Sequence, residues 1–335
     1  MLLTLFLFFL SAAIIYLACE YFVNGVEWVG HRMALGATAT GTVLAAFGTA
    51  LPESAVTFMA VVFGSTPEQK DIGVGAAMGG PLVLATVAYA VVGLALWRNR
   101  RDAHVGVSIP IKADQRRLAR DQSWFMGIFV FKVALGLLAF AWKPWLGILF
   151  LAVYGLYVKR ELSHEDEGIE EDDLEPLKLR PRDPNPSMFW ACTQTALALV
   201  VIAAASRVFV QQIEVLGVEM GVSAHLAALL LAPVATELPE ILNALIWVRQ
   251  GKERLALANI SGAMMIQATI PSALGIFLTP WLLDGPLRAA GLFTLASIAL
   301  LWLRLRRGTM TVPALASVGG LYVLFAGYLA WHFQG

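Results

Sequence analysis

Three carboxylates stand where the chain is otherwise apolar. Glu53, Glu237 and Glu240 lie deep inside long hydrophobic runs. Carboxylates at bilayer depth are costly and mark ion paths. Their setting repeats: residues 48–53 read Gly-Thr-Ala-Leu-Pro-Glu and residues 235–240 read Ala-Thr-Glu-Leu-Pro-Glu. Thr49 precedes Glu53 by four, as Thr236 precedes Glu240, a spacing that puts each hydroxyl on the helix face of its carboxylate. Glu237, three residues before Glu240, points nearby. Pro52 and Pro239 have no amide hydrogen, which frees the carbonyls of Gly48 and Ala235 from helical donors. Broken backbone is tolerated at membrane depth where it lines a polar cavity. Carboxylates, hydroxyls and free carbonyls together make an all-oxygen site. Such a site suits calcium, a hard cation that takes about six to eight oxygens. Kinked helices with protonated, mutually bonded glutamates would account for one such motif; two copies favour the ion site.

The frame that holds these residues must itself be a membrane one. Of 335 residues, 58% are hydrophobic and 14% charged, against roughly a quarter charged in a soluble domain. Net charge is zero, so there is no basic field for nucleic acid. P-loop, HExxH, CxxC and GxSxG patterns are absent, and no His or Cys converges with the glutamates as an enzyme site requires. The expectation is a transporter without a cofactor. Cys19 and Cys192 fall in apolar runs and read as buried thiols rather than a disulfide. Spanning helices need about 20 apolar residues; candidates lie at 2–23, 35–63, 72–97, 124–142, 144–159, 188–211, 223–248, 255–279, 286–304 and 312–333. The run from Leu2 lacks the basic residues that precede a secretory core, and reads as a helix.

Charge supports the count. With the amino terminus outside, the inner loops collect nineteen of the 24 lysines and arginines, whereas the outer loops hold Lys70, Lys143 and Arg288. That bias is the one expected of cytoplasmic loops. Lys132 and Arg207 fall within spans; Lys132 reads as paired or snorkelling. Residues 98–123 read as a basic inner loop. Residues 161–187 are acidic and Pro-rich and read as a disordered cytoplasmic linker. His225, at the outer start of the seventh span, reads as a surface histidine.

The motif recurs at an offset of half the chain, and residues 73–87 match residues 256–270, sharing Gly79…Ala85-Thr86 and Gly262…Ala268-Thr269. Five helices separate the copies, and an odd number inverts the topology. The expected fold is an all-α integral membrane protein of ten transmembrane helices, arranged as two inverted five-helix repeats. The repeats would be residues 1–160, with a motif region at 41–87, and residues 188–335, with one at 229–270. Inverted repeats of this kind place an ion site near the bilayer midplane.

The two motifs resemble the alpha repeats of the cation/calcium antiporter superfamily, especially sodium/calcium exchangers. Each repeat of that family carries Gly-Thr-Ser-Leu-Pro-Glu on one helix and a Gly-Ser-Asn segment on the next. By position, the resemblance implies that Glu53 and Glu240 bind calcium, with Thr49 and Thr236 as neutral partners. It also implies alternating access by sliding of the first and sixth helices. The departures are specific. The family serine is Ala50 in one copy and Glu237 in the other. The Gly-Ser-Asn segment reads Gly79-Gly80-Pro81 and Gly262-Ala263-Met264, and the family's acidic position on the eighth helix is Gln267. Asn259 has Ala76 as its counterpart. These changes spare calcium binding and remove ligands associated with sodium. Glu237, a third carboxylate beside two others, would accept a proton when calcium leaves. The expectation is therefore a multi-pass protein of the inner (plasma) membrane, both termini on the outer side, whose partners are calcium, monovalent cations and the bilayer. It would exchange calcium for sodium ions or protons. A proton-driven transporter of magnesium or manganese, and a non-transporting sensor with the same fold, are the alternatives.

Overall fold

The structure is a computed structural model that describes residues 1–33, 50–100, 110–162 and 175–332. Among these residues the chain is helical, apart from one isolated bridge between Pro110 and Thr311. In order come α1 (Leu2–Arg32), α2 (Leu51–Phe63), α3 (Pro67–Val83), a π-helical turn (Leu84–Ala88) and α4 (Tyr89–Arg100). Then follow α5 (Gln115–Leu135), α6 (Gly147–Leu162), α7 (Met188–Met220), α8 (Ala224–Thr236) and α9 (Leu238–Arg249). The chain closes with α10 (Glu253–Leu278), α11 (Gly285–Arg306), α12 (Val312–Ser317) and α13 (Gly319–His332).

Described helix falls on each expected span. Six stretches are long and apolar enough to cross a membrane, and Leu51–Phe63 and Ala224–Val234 are apolar but shorter. α5 differs most from expectation: it covers 115–135 rather than 124–142. Asp114 starts it early, its carboxylate accepting the amides of Arg116 and Arg117, two of the donors that a helix start leaves free. It stops early because Lys143 donates to the carbonyls of Leu135 (3.1 Å) and Leu138 (2.6 Å).

The chain's ends and loops sort to two sides. The amino group of Met1 is 3.4 Å from Glu219, at the end of α7, and Gln69, early in α3, bonds Glu214 at 2.9 Å. His225, at the start of α8, reaches Asp71 (3.2 Å) and Asp284 (4.0 Å), so it is a paired histidine rather than a bare surface one. α2 therefore ends on the side where α8 begins, and the two motif-bearing segments run in opposite directions, as inverted repeats require.

Burial separates centre from rim. In the most apolar windows, 78% of the positions on the rod α3–α4 and on α10 are inside, against 33% on α1 and 28% on the last rod. A rim helix that is apolar all round and half uncovered is one that faces lipid. α1 and α7 pack along each other, with the rings of Phe8 and Phe209 stacked at 4.8 Å. Gly25 of α1 lies so close to Thr195 and Ala191 that a Cβ there would stand 2.6 Å from the Thr195 hydroxyl. With the faces of α2, α3 and α8 turned toward them, these two helices form an apolar cluster of their own, distinct from the larger one that joins α3–α6 to α8–α13.

The segment before α7 is not a free linker. Residues 163–174 lie outside the described residues, but 175–187 dock on α1 and α7. Leu177 is completely buried against Trp28 and Ala191. Asn24 accepts the amide of Lys178 at 3.0 Å, and Arg32 donates to the Pro186 carbonyl at 2.8 Å. Arg180 stacks over Trp190 at 4.4 Å. Composition foretold disorder here; the apolar Leu177 and two cationic side chains with partners outweigh it. Cys19 is buried as expected, while Cys192 is exposed on the flank of α7.

Candidate ion-binding site

Both repeated motifs open a helix. Leu51 and Pro52 open α2, and Leu238 and Pro239 open α9, since a proline costs nothing where an amide has no helical acceptor. Glu53 and Glu240 thus sit in first turns, where aligned peptide dipoles favour negative charge. In the second copy Glu237 occupies the junction itself, between Thr236 at the end of α8 and Leu238. Its amide donates to the Pro233 carbonyl at 2.9 Å, and its carbonyl accepts from Ile241 at 3.1 Å. The backbone at Glu237 keeps right-handed helical dihedrals (φ −98°, ψ −15°), so the turn from Thr236 to Glu240 continues through it. The Thr236 hydroxyl lies 2.9 Å from Oε1 of Glu237, not against Glu240.

Around this junction the polar groups gather. Gln267 of α10 donates Nε2–H to Oε2 of Glu237 at 2.7 Å. The Glu53 carboxyl group stands within hydrogen-bonding reach of Glu237. Two carboxylates can only accept, so a bond between them forms when one carries a proton. Gly80 of α3 makes the approach feasible: a Cβ there would collide with the Glu53 carboxylate and come within 2.8 Å of Oε1 of Gln267. Gly79, beside it, lets α3 meet α8, its missing Cβ only 2.6 Å from the Leu229 carbonyl. Pro233, four residues on, leaves that carbonyl without its helical donor.

Glu53, Glu237, Glu240 and Gln267 are almost wholly shielded, at 1% exposure or less. Yet both oxygens of Glu53, both of Glu240 and Oε1 of Gln267 have no donor among the described residues. So does Oγ1 of Thr57, one turn beyond Glu53 on α2. An uncompensated buried carboxylate costs several kcal/mol, and buried polar groups in folded proteins are nearly always bonded. A cluster of orphaned oxygens is what a site for a hard cation leaves exposed to its substrate. Among the described residues no three His, Cys, Asp or Glu side chains converge tightly enough to grip an ion alone. Thr49 and Gly48 lie outside the described residues.

Sequence reasoning passed over two contributors, Gly80 and Thr57. Gly80 counted there only as a lost ligand position; its lack of a side chain is what admits Glu53 and Gln267. Thr57 could have been found, four residues after Glu53. Lys132 neither snorkels nor forms an ion pair: it is fully buried and donates Nζ–H to the Ala77 carbonyl at 2.6 Å.

This arrangement has known counterparts. The sequence pattern of the sodium/calcium exchanger protein family matches residues 3–160 and 190–333, and the chain belongs to that family. It is 27% identical over 255 residues to the inner membrane protein YrbG of Escherichia coli, across 73% of this chain and 70% of that one. It is 23% identical over 331 residues to CaxA of Alkalimonas amylolytica, an antiporter by name, across 92% and 94% of the two chains. Its fold matches the crystal structure of the H+/Ca2+ exchanger CAX with a TM-score of 0.75 at 17% identity, over 98% of this chain and 82% of that one. The sodium-calcium exchanger NCX_Mj matches with a TM-score of 0.58 at 18% identity, over 97% and 98%. The chain is thus a multi-span membrane protein of a cation-exchanging family, and not an enzyme.

Proposed function

We propose that this protein is a secondary antiporter that moves calcium across the inner (plasma) membrane in exchange for protons or sodium ions. The observation that carries the reading is the set of shielded oxygens of Glu53 and Glu240 that have no donor among the described residues, each in the first turn of a helix opened by Leu-Pro. Thr57 and Oε1 of Gln267 add neutral oxygens, and the resemblance adds Thr49, Thr236 and the carbonyls of Gly48 and Ala235. The halves 1–160 and 188–335 meet at this site, with 161–187 on the cytoplasmic side and both termini outside. The separate apolar cluster of α1 and α7 supports a slide of that pair past the centre, which would open the site to each side in turn.

Protons are the favoured counter-ion. Glu237 stands where the family has a serine, and it is bonded by Gln267 and Thr236 beside Glu53. A proton shared between Glu53 and Glu237 would neutralise their repulsion once calcium departs. The similar fold CAX is named for proton/calcium exchange and NCX_Mj for sodium/calcium exchange.

Purified protein in liposomes, loaded to give either a proton or a sodium gradient, tests this with radiolabelled calcium. Proton-driven uptake, abolished by Glu53→Gln and by Glu240→Gln, is the expected result, with a changed proton-to-calcium ratio in Glu237→Gln. A ratio equal to wild type would remove Glu237 from the coupling. No calcium flux under either gradient would turn attention to magnesium or manganese, and failure with all three to a non-transporting sensor.

A further inference from the structure

Lys132 has no part in the exchange as just described, yet its ammonium is placed with care. Pro81 in α3 has no amide hydrogen, so the carbonyl four residues earlier, that of Ala77, loses its helical donor. Lys132 of α5 supplies the replacement at 2.6 Å. The side chain is 0% exposed. Its Nζ lies 5.0 Å from the ring centre of Phe129 and 5.8 Å from that of Trp281, and aromatic faces attract cations. Trp281 is itself fixed, its Nε1–H donating to the Lys132 carbonyl at 3.1 Å. Ala77 is one turn from Gly80, against which Glu53 and Gln267 rest. A lysine held by a backbone oxygen and two rings keeps its position whether Glu53 is occupied or not.

The charge count then matters. Glu53, Glu237 and Glu240 contribute three negative charges when ionised, and Lys132 one positive. We propose that Lys132 is a built-in counter-charge that brings the ionised site to minus two, so that one divalent cation balances it and two monovalent cations replace that ion. This rests on the exchange reading above. It assigns Lys132 the setting of the coupling ratio, not the binding of the substrate.

The experiment measures calcium flux in proteoliposomes at several clamped membrane potentials. Wild type is expected to be insensitive to potential, because two charges move each way. Lys132→Met leaves a site of minus three, so its flux should become dependent on potential or fall tenfold or more. Adding Glu237→Gln to Lys132→Met restores minus two and should restore both rate and insensitivity toward wild type. Lys132→Arg, which keeps the charge, should resemble wild type in its response to potential. Flux in Lys132→Met that stays insensitive at the wild-type rate would overturn the inference. So would a double variant as inactive as Lys132→Met, since a merely structural lysine is not rescued by removing a carboxylate. A potential-dependent wild type would overturn it as well. A wild type that moves no cation under any gradient would overturn the exchange reading itself, and this inference with it.

Discussion

Gln267 and Glu237 are bound to each other, amide nitrogen to carboxylate oxygen, at 2.7 Å. These are two of the residues at which the second repeat departs from the family pattern: an acid where a serine is usual, and an amide where an acid is usual. Their contact makes the departures one change. The carboxylate has moved from α10 to the junction between α8 and α9, and the amide left behind holds it.

Replacing Gln267 by Leu would leave Oε2 of Glu237 buried without its donor. Unsatisfied buried acceptors cost about 1–3 kcal/mol, more when charged. A lower melting temperature of the detergent-purified protein is expected, together with altered coupling. Equal melting would mean that Glu237 finds another donor.

Gly80→Ala should fold and fail to exchange. Its Cβ would occupy the place of the Glu53 carboxylate, so a tenfold or greater loss of calcium affinity is expected, equivalent to about 1.4 kcal/mol. Gly127→Ala, with nothing within 4 Å of the added carbon, is the matched control. Similar flux in both variants would show that the Gly80 contact is unimportant.

Thr57→Val separates ligand from scaffold. The hydroxyl is buried and has no partner, so losing it should leave stability unchanged or improved. Calcium affinity should fall several-fold. Unchanged affinity would remove Thr57 from the site.

Leu177→Asp should release the docked segment 175–187, because a charge cannot replace Leu177 between Trp28 and Ala191. Trypsin should then cut faster after Lys178 and after the exposed Arg182; Arg180 precedes Pro181 and is not a trypsin site. Unchanged cleavage would mean that Arg32 and Asn24 hold the segment unaided.

Much of this was legible in the residues. Proline-glutamate pairs at matched places in two apolar halves announce both the inversion and the site, since little else would bury carboxylates there. Hydropathy and loop charge located the spans, though α5 shows the limit: an apolar window misses Asp114, whose capping starts the helix nine residues ahead of the expected 124. The partners of each carboxylate were not legible. Thr236 stands four before Glu240, but its hydroxyl meets the Glu237 carboxylate instead. Gly80 and Lys132 act through approach across helices, which no spacing along one helix encodes. Leu177 is one of a few scattered apolar residues in a charged, Pro-rich run, and composition averages it away.

The docking of residues 175–187 also has a consequence for how the protein is made. Asn24 of α1 is tied to the carbonyl of Glu175, 151 positions later, and to the side chain of Gln194, 170 positions later. At about 5–20 residues per second, the ribosome needs roughly 8–30 s to deliver those partners after Asn24 has emerged. α1 is thus locked in place only after much of the later chain has been made. Until then the polar end that carries Asn24 must be sheltered by lipid headgroups or by the insertion machinery.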